Sequence, residues 1–476
     1  MVHDTLSPPV EQTRSADPRA DRLPRYVVWC IGLFFVALLT PVIFEVGSLN
    51  IPATRLYLLI LFVPALFACL SGRAGRIRAV DLLIVAATVW WSLSFFANHP
   101  VGSVYQQVGF TVLETLGGYM LGRWLIRSAG AFTFFVRANF LAVLFTLPFA
   151  LLEMQTGDPI IMTTLRQVVK TPFIVNHELR LGFERAQVVF QHPILYGVFC
   201  AAAFGLVVHT LNRTTGLFTA VFRGGVVVVT TFSSLSTGAF LTLLVQMCFM
   251  GWNRVLAQFG ARWKFFAAGV VTLYVLIDVF STRTPFHVFV SYMTLNSSTA
   301  WNRIRIFDHG MNNVWANPIF GLGLHDWVRP HWMVSSVDNF WLVLAMRHGI
   351  PSFLFFAAAL VLLIGQLSFA RLVSAEARAA RTGYLISLGG LIVALSTVHI
   401  WSEPYIWFMF LLGAGVWMIE PQPQTGAPAT PDSAAQPEGQ DRALRYSRFP
   451  LDKARARPAP RARAVSQRVP VGRKMR

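Results

Sequence analysis

Apolar residues in this chain run on in long blocks. They do not follow the alternation of half-buried strands or the period of surface helices. Blocks of about 16 to 22 residues match the length at which an α-helix crosses the hydrocarbon of a bilayer. They fall at roughly 26–44, 54–70, 80–97, 104–122, 131–152, 194–210, 217–232, 237–252, 264–280, 339–369, 383–400 and 404–419, with 217–252 also readable as one broken unit. The pattern predicts an all-α polytopic membrane protein of about 12 transmembrane helices over residues 26–419, with no soluble domain and no clear repeat. Two long polar stretches interrupt the blocks, at about 153–193 and 281–338. Residues 1–25 are polar, with Pro8, Pro9, Pro18 and Pro24, and read as a disordered tail before an uncleaved first helix. Residues 420–476 are rich in Pro, Ala and Arg and lack the apolar content to bury a core, so they also read as disordered.

Composition agrees with a membrane chain. Only 13% of the 476 residues are charged and 55% are hydrophobic, against about a quarter charged in soluble domains. Mean hydropathy is +0.54. The net charge of +18 does not signal nucleic acid here, because the basic residues lie between apolar blocks and in the tails. One set of alternate connections holds Arg73, Arg76 and Arg78; Arg123 and Arg127; Arg213 and Arg223; Arg254, Arg262 and Lys264; and Arg371, Arg378 and Arg381. The opposite short connections, near 98–103, 233–236 and 400–403, hold no Arg or Lys. The positive-inside rule then makes the first set and both tails cytoplasmic and puts both long loops outside, on the periplasmic face of a bacterial inner membrane. Arg455, Arg457, Arg461 and Arg463 of the tail would lie against the anionic inner leaflet, most simply as topology-fixing charge. Cys30, Cys69, Cys200 and Cys248 sit inside apolar blocks and read as small buried hydrophobes.

The two long loops carry Arg166, Lys170, Arg180, Arg185, Arg283, Arg303, Arg305 and Arg329 against that charge bias, which invites a functional explanation. The second also concentrates Trp, His, Asp and Asn. Arg303 and Arg305 share a face only if the segment is extended. Asn317-Pro318 with Gly321 and Gly323 marks a turn, followed by His325, Asp326, Arg329 and His331, then Asp338-Asn339 at membrane re-entry. In the first loop, His177, Glu184 and His192 flank Arg180 and Arg185. Arginine forks match phosphate oxygens, a buried acid can serve as a base, and Trp faces stack on sugars. The set suits a sugar-bearing lipid phosphate. The competing reading makes the Trp residues interfacial anchors and the Arg residues headgroup contacts. No compact ligand spacing suggests a metal, and no cofactor is expected. Among acids in or near the blocks (Glu45, Asp81, Glu114, Glu153, Asp278 and Glu403), Glu114 is deepest and should be paired or functional, as a proton-coupled carrier or flippase would also use it.

Four segments resemble the O-antigen ligase and polysaccharide polymerase superfamily over roughly 26–419. ALLEMQTGDPI (150–160) is similar to that family's Glu-x-x-x-Gly ahead of the first long loop. Arg180, Arg185, His192-Pro193 and Gly197 resemble its Arg-rich loop, and SSLSTGAFL (233–241) its Ser-Arg-Gly turn, with Thr237 where Arg is frequent. Arg303 through Asn317-Pro318-x-x-Gly-x-Gly resembles the core of its large loop. The ligases continue with His-Asn, nine residues and Gly; here Asp338-Asn339 and Gly349 keep the spacing, which resembles the exopolysaccharide polymerase branch. The resemblance implies metal-independent glycosyl transfer outside the membrane from an undecaprenyl-diphosphate-linked oligosaccharide. Asp338 would be the base, with Arg303 and Arg305 catalytic. Arg180, Arg185, His192, Asn339, His325 and Arg329 would bind substrate. Membrane lipids and a chain-length regulator or export complex are the partners it implies. Transfer of the glycan to lipid A or protein is the ligase alternative.

Overall fold

The computed structural model describes residues 23–420 apart from 48, 176–177 and 294–296. Of the expected tails at 1–25 and 420–476, residues 1–22 and 421–476 lie outside the described residues, as does His177 of the first loop. The chain is mostly helical. Seven helices are long and apolar enough to cross a membrane: 53–70, 79–98, 129–156, 193–211, 262–280, 350–369 and 402–419. The other expected blocks are helices that are shorter, jointed or more polar.

Chain order explains the joints. Helix α1 (Arg25–Leu39) stops short of the expected residue 44 because Thr40 precedes Pro41, which forces it out of the helical region. The chain then makes a small antiparallel hairpin, β1 (Ile43–Val46) and β2 (Leu49–Pro52), an exception to the all-helical expectation. After α2 (Ala53–Leu70) and α3 (Ala79–Asn98) comes α4 (Val101–Val112), joined by a π-helical turn (Leu113–Gly117) to α5 (Gly118–Leu125). Helix α6 (Ala129–Thr156) ends at Gly157, whose φ of 74° is the left-handed cap that glycine adopts freely. A short α7 (Ile160–Arg166) precedes α8 (Pro193–Leu206), which also ends in a π turn (Val207–Leu211).

Helices α9 (Leu217–Ser233) and α10 (Thr237–Val255) are separate, divided by a three-residue turn. No residue of α11 (Arg262–Phe280) is buried although it is apolar, as expected of a lipid-facing helix. The second long loop is itself largely helical, with α12 (Pro285–Met293) and α13 (Ser297–Ala316) before an irregular stretch. The block expected at 339–369 is broken into α14 (Phe340–His348) and α15 (Ile350–Phe369) by Gly349. Its φ of 82° and ψ of 169° belong to a region that only glycine occupies cheaply, and a Cβ there would collide with the carbonyl oxygen of Ile319. Helices α16 (Ala375–Ala394) and α17 (Ser402–Gly415) complete the bundle.

Helix α17 is the centre of the core, buried from Pro404 to Gly415, which is why its sequence is apolar all round. It meets α5 backbone to backbone, through Gly118, Gly122 and Gly413. All four cysteines are free, yet only Cys200 is buried; Cys30 and Cys69 are half-buried and Cys248 is exposed, because an apolar position in this bundle can face outward as readily as inward.

Candidate functional site

The first long loop is fastened to the end of α6. The Glu153 carboxylate accepts the backbone N–H groups of Gln187 (2.9 Å) and Val188 (2.8 Å), and Val188 sits at a left-handed φ of 55°. The Gly157 end of the same helix packs on the Glu184 side chain. Upstream, Arg180 and Phe183 exchange both backbone hydrogen bonds (2.9 and 3.0 Å) around Leu181 and Gly182, which both take positive φ as a tight hairpin turn requires.

These fastenings deliver two arginines to the turn between α9 and α10. The Arg180 guanidinium donates to the carbonyl oxygen of Leu235 (2.9 Å), and Arg185 Nε donates to that of Ser234 (3.3 Å). Leu235 holds a φ of 44° to present its carbonyl. His192 caps α8: its Nδ1 accepts the N–H of Ile194 at 3.0 Å, and its ring stands edge-on to Trp401.

Arg303 arrives from α13. The segment is a helix and not extended, so Arg303 and Arg305 diverge as residues two apart on a helix must. Arg303 turns inward and is 8% exposed. Arg305 turns outward, its guanidinium 5.1 Å from the centre of the Trp332 ring, and is not brought to the cavity. Beyond α13, Gly321 and Gly323 at positive φ let the backbone pair with the end of α14: Leu322 donates to Met346 and Gly323 to Arg347 (2.9 and 2.8 Å). Asn313 clamps the same stretch through both backbone groups of Val328 (2.8 and 2.9 Å). Arg329 serves this scaffold, donating to Asp326 at 2.6 Å and lying over Trp327. Hydrogen bonding to Arg329 holds the Asp326 carboxyl below the usual range. Asn339, read as a substrate contact, spends its side-chain oxygen on capping α14 through Leu342 N–H at 3.0 Å.

The two loops enclose one cavity of about 830 Å³. Arg180, Arg185, His192, His325 and Asp338 all line it. His325 is tilted against His99, with ring centres 4.2 Å apart. Arg303 does not line the cavity but is close enough to Asp338 that the two charges influence each other. Burial pushes the Asp338 carboxyl up, while the charges of Arg303 and Arg185 pull it back down. Burial, helped by neighbouring Arg180, lowers the Arg185 guanidinium to about 10, and Arg303 is lowered for the same two reasons; Asp338 opposes both shifts. One terminal nitrogen of Arg185, and Nε and one terminal nitrogen of Arg303, are buried with no hydrogen-bond partner among the described residues. Buried cationic donors without acceptors cost about 1–3 kcal/mol each or more, a cost that an anion reaching the cluster would offset.

Compared with known protein families the chain matches no family model, and no curated protein matches it.

The cavity also holds groups the sequence reading did not single out. Arg347, His348, His399 and Trp401 line it. Arg347 stands in an otherwise apolar segment, the signal that marks a charge kept for a reason. Glu114 forms part of the cavity wall from the π turn, as its depth suggested, and is paired: Arg55 Nε donates to it at 2.6 Å. Chemically the site can hold a charged phosphate ester against the guanidinium groups of Arg180 and Arg185 with the Asp338 carboxylate alongside, in a chamber walled by aromatic rings. Among the described residues no group of three His, Cys, Asp or Glu is placed to hold a metal ion.

Proposed function

We propose that this chain is a membrane glycosyltransferase that polymerises undecaprenyl-diphosphate-linked oligosaccharide repeats into exopolysaccharide, capsule or O-antigen. In this reading about twelve segments cross a bacterial inner membrane, both tails are cytoplasmic, and the cavity opens on the periplasmic side. The observation that carries the reading is that Arg180, Arg185 and Asp338 line one cavity from loops more than a hundred residues apart, with buried Arg303 in electrostatic reach of Asp338 and guanidinium donors left without acceptors.

The chemistry asks for little more. A hydroxyl of one repeat attacks the anomeric carbon of another; its proton passes to Asp338 and the carbon–oxygen bond to the diphosphate breaks. The arginines hold the diphosphate and stabilise the charge that grows on it. Because the leaving group is already good, neither nucleotide nor metal is needed at this step. Burial raises the basicity of Asp338 and the flanking arginines keep it ionised.

Alanine at Arg303 or Asp338 is the test, with Arg305→Ala as an outward-facing control. Long polymer should vanish in the first two at normal protein level and persist in the third. Undiminished chain length in Asp338→Ala sinks the proposal. The lipid extract separates the ligase alternative: single repeats on lipid accumulate when a polymerase fails, long chains when a ligase fails.

A further inference from the structure

Helix α8 joins two cavities. Its first turn borders the one described above through His192 and Ile194, and its closing π turn borders another, of about 610 Å³. The 19 residues from Pro193 to Leu211 span roughly 28 Å at the helical rise, close to the thickness of bilayer hydrocarbon. The second cavity therefore lies at the opposite membrane face. We propose that it binds one anionic phospholipid, its phosphate over Arg137, Arg213 and Arg223 and an acyl chain along Phe134, Phe140 and Leu141.

Charge is the first ground. Three arginines and one carboxylate, Glu376, line the cavity. Glu376 is spoken for by Arg213 at 3.2 Å, and Arg223 is positioned by the carbonyl of Leu211 (2.8 Å) and the side-chain oxygen of Asn212 (3.2 Å). Arg137 has no hydrogen bond or ion pair among the described residues. It sits eight residues into α6, about 12 Å along the helix axis, between apolar neighbours. Its side chain is exposed on the outer face of the helix, and a cation facing hydrocarbon without a partner is costly, a cost that an anionic headgroup relieves.

The second ground is the polar floor. Thr210 and Thr215 both line the cavity, and both hydroxyls are buried with no hydrogen-bond partner among the described residues. A phosphodiester supplies the acceptors that Arg137 and the two hydroxyls lack and can also accept from the free nitrogens of Arg213 and Arg223. The third is the apolar wall. Phe134, Phe140 and Leu141 face the same space, and Leu141 is exposed, so the cavity is open toward lipid. A soluble phosphate compound would leave that wall wet. A phospholipid fills both halves.

The inference rests on the membrane placement proposed above and not on the enzymatic reading. The test is native mass spectrometry of the full chain titrated with phosphatidylglycerol, phosphatidylcholine and glycerol 3-phosphate. Phosphatidylglycerol should be retained in preference to phosphatidylcholine. Arg137→Gln should weaken its binding about tenfold, the loss of one charge-assisted contact, and Arg137→Lys should restore much of it. Equal retention of the two lipids, or undiminished phosphatidylglycerol binding in Arg137→Gln/Arg223→Gln, overturns the proposal. Glycerol 3-phosphate bound as tightly as the lipid overturns the lipid as occupant. Failure of the membrane placement itself shows separately, as release of the chain from membranes by alkaline carbonate without detergent.

Discussion

Glu153→Gln probes the machinery without touching substrate. Both oxygens of the carboxylate are occupied, one by the N–H of Gln187 and one by that of Val188. An amide keeps one acceptor and turns a donor toward the other N–H. That leaves a buried backbone amide without an acceptor, at about 1–3 kcal/mol. An energy of that size displaces an equilibrium by about 5- to 150-fold. The equilibrium in question is the seating of the first loop, because Val188 stays at its left-handed φ only while held. Arg185 lies two residues before Gln187 and would leave the Ser234 carbonyl with the loop. The assay is hydrogen exchange by mass spectrometry over 180–192, with polymer length measured in the same variant. Exchange should accelerate within that window while α17 is unaffected, and long polymer should fall. Unchanged exchange at 185–190 with unchanged polymer would refute the claim that Glu153 fastens the site.

Two further outcomes follow. Gly349→Ala should cost about 1–3 kcal/mol for backbone conformation alone, with the collision at Ile319 added, and should lower the yield of monodisperse protein in size-exclusion chromatography; a well-folded, active variant would show that the break between α14 and α15 is not required. The acid limb of polymerisation reports on Asp338. Its carboxyl must be ionised to accept a proton, and Arg303 lowers its pKa. Removing that charge in Arg303→Gln raises the pKa, so whatever activity remains should be lost at a higher pH as the medium is acidified; a limb that stays in place or moves downward contradicts the assignment of Asp338 as base.

Much of the helical architecture was legible because apolar blocks of spanning length admit few other structures. The joints were legible only in part. Pro41 ended α1 earlier than hydropathy alone suggested, and Gly349 was noticed for its spacing while its φ and ψ were beyond reach of any pattern. The candidate site was legible as residue types. Arg180 and Arg185 were singled out because cations stood where the topology rule disfavoured them, and Asp338 because it stands at membrane re-entry with the Asp-Asn and Gly349 spacing. What they rest against was not legible, since the acceptors are carbonyl oxygens of Ser234 and Leu235 that carry no side-chain signature. Arg303 and Arg305 were given one role by the family resemblance while the local conformation was left open; helical geometry separates them by about 200° and sends only one inward. Arg347 was passed over inside an apolar segment, though a charge there is the stronger signal.

The turn between α9 and α10 offers a last consequence. Its two carbonyls form a negative rest for one nitrogen each of Arg180 and Arg185. A rest made of main chain depends on backbone shape, here on the left-handed bend at Leu235. Ser234 and Leu235 are themselves buried, so packing fixes their side chains while their carbonyls steady the arginines. One short turn thus answers to the core on one side and to the cations on the other.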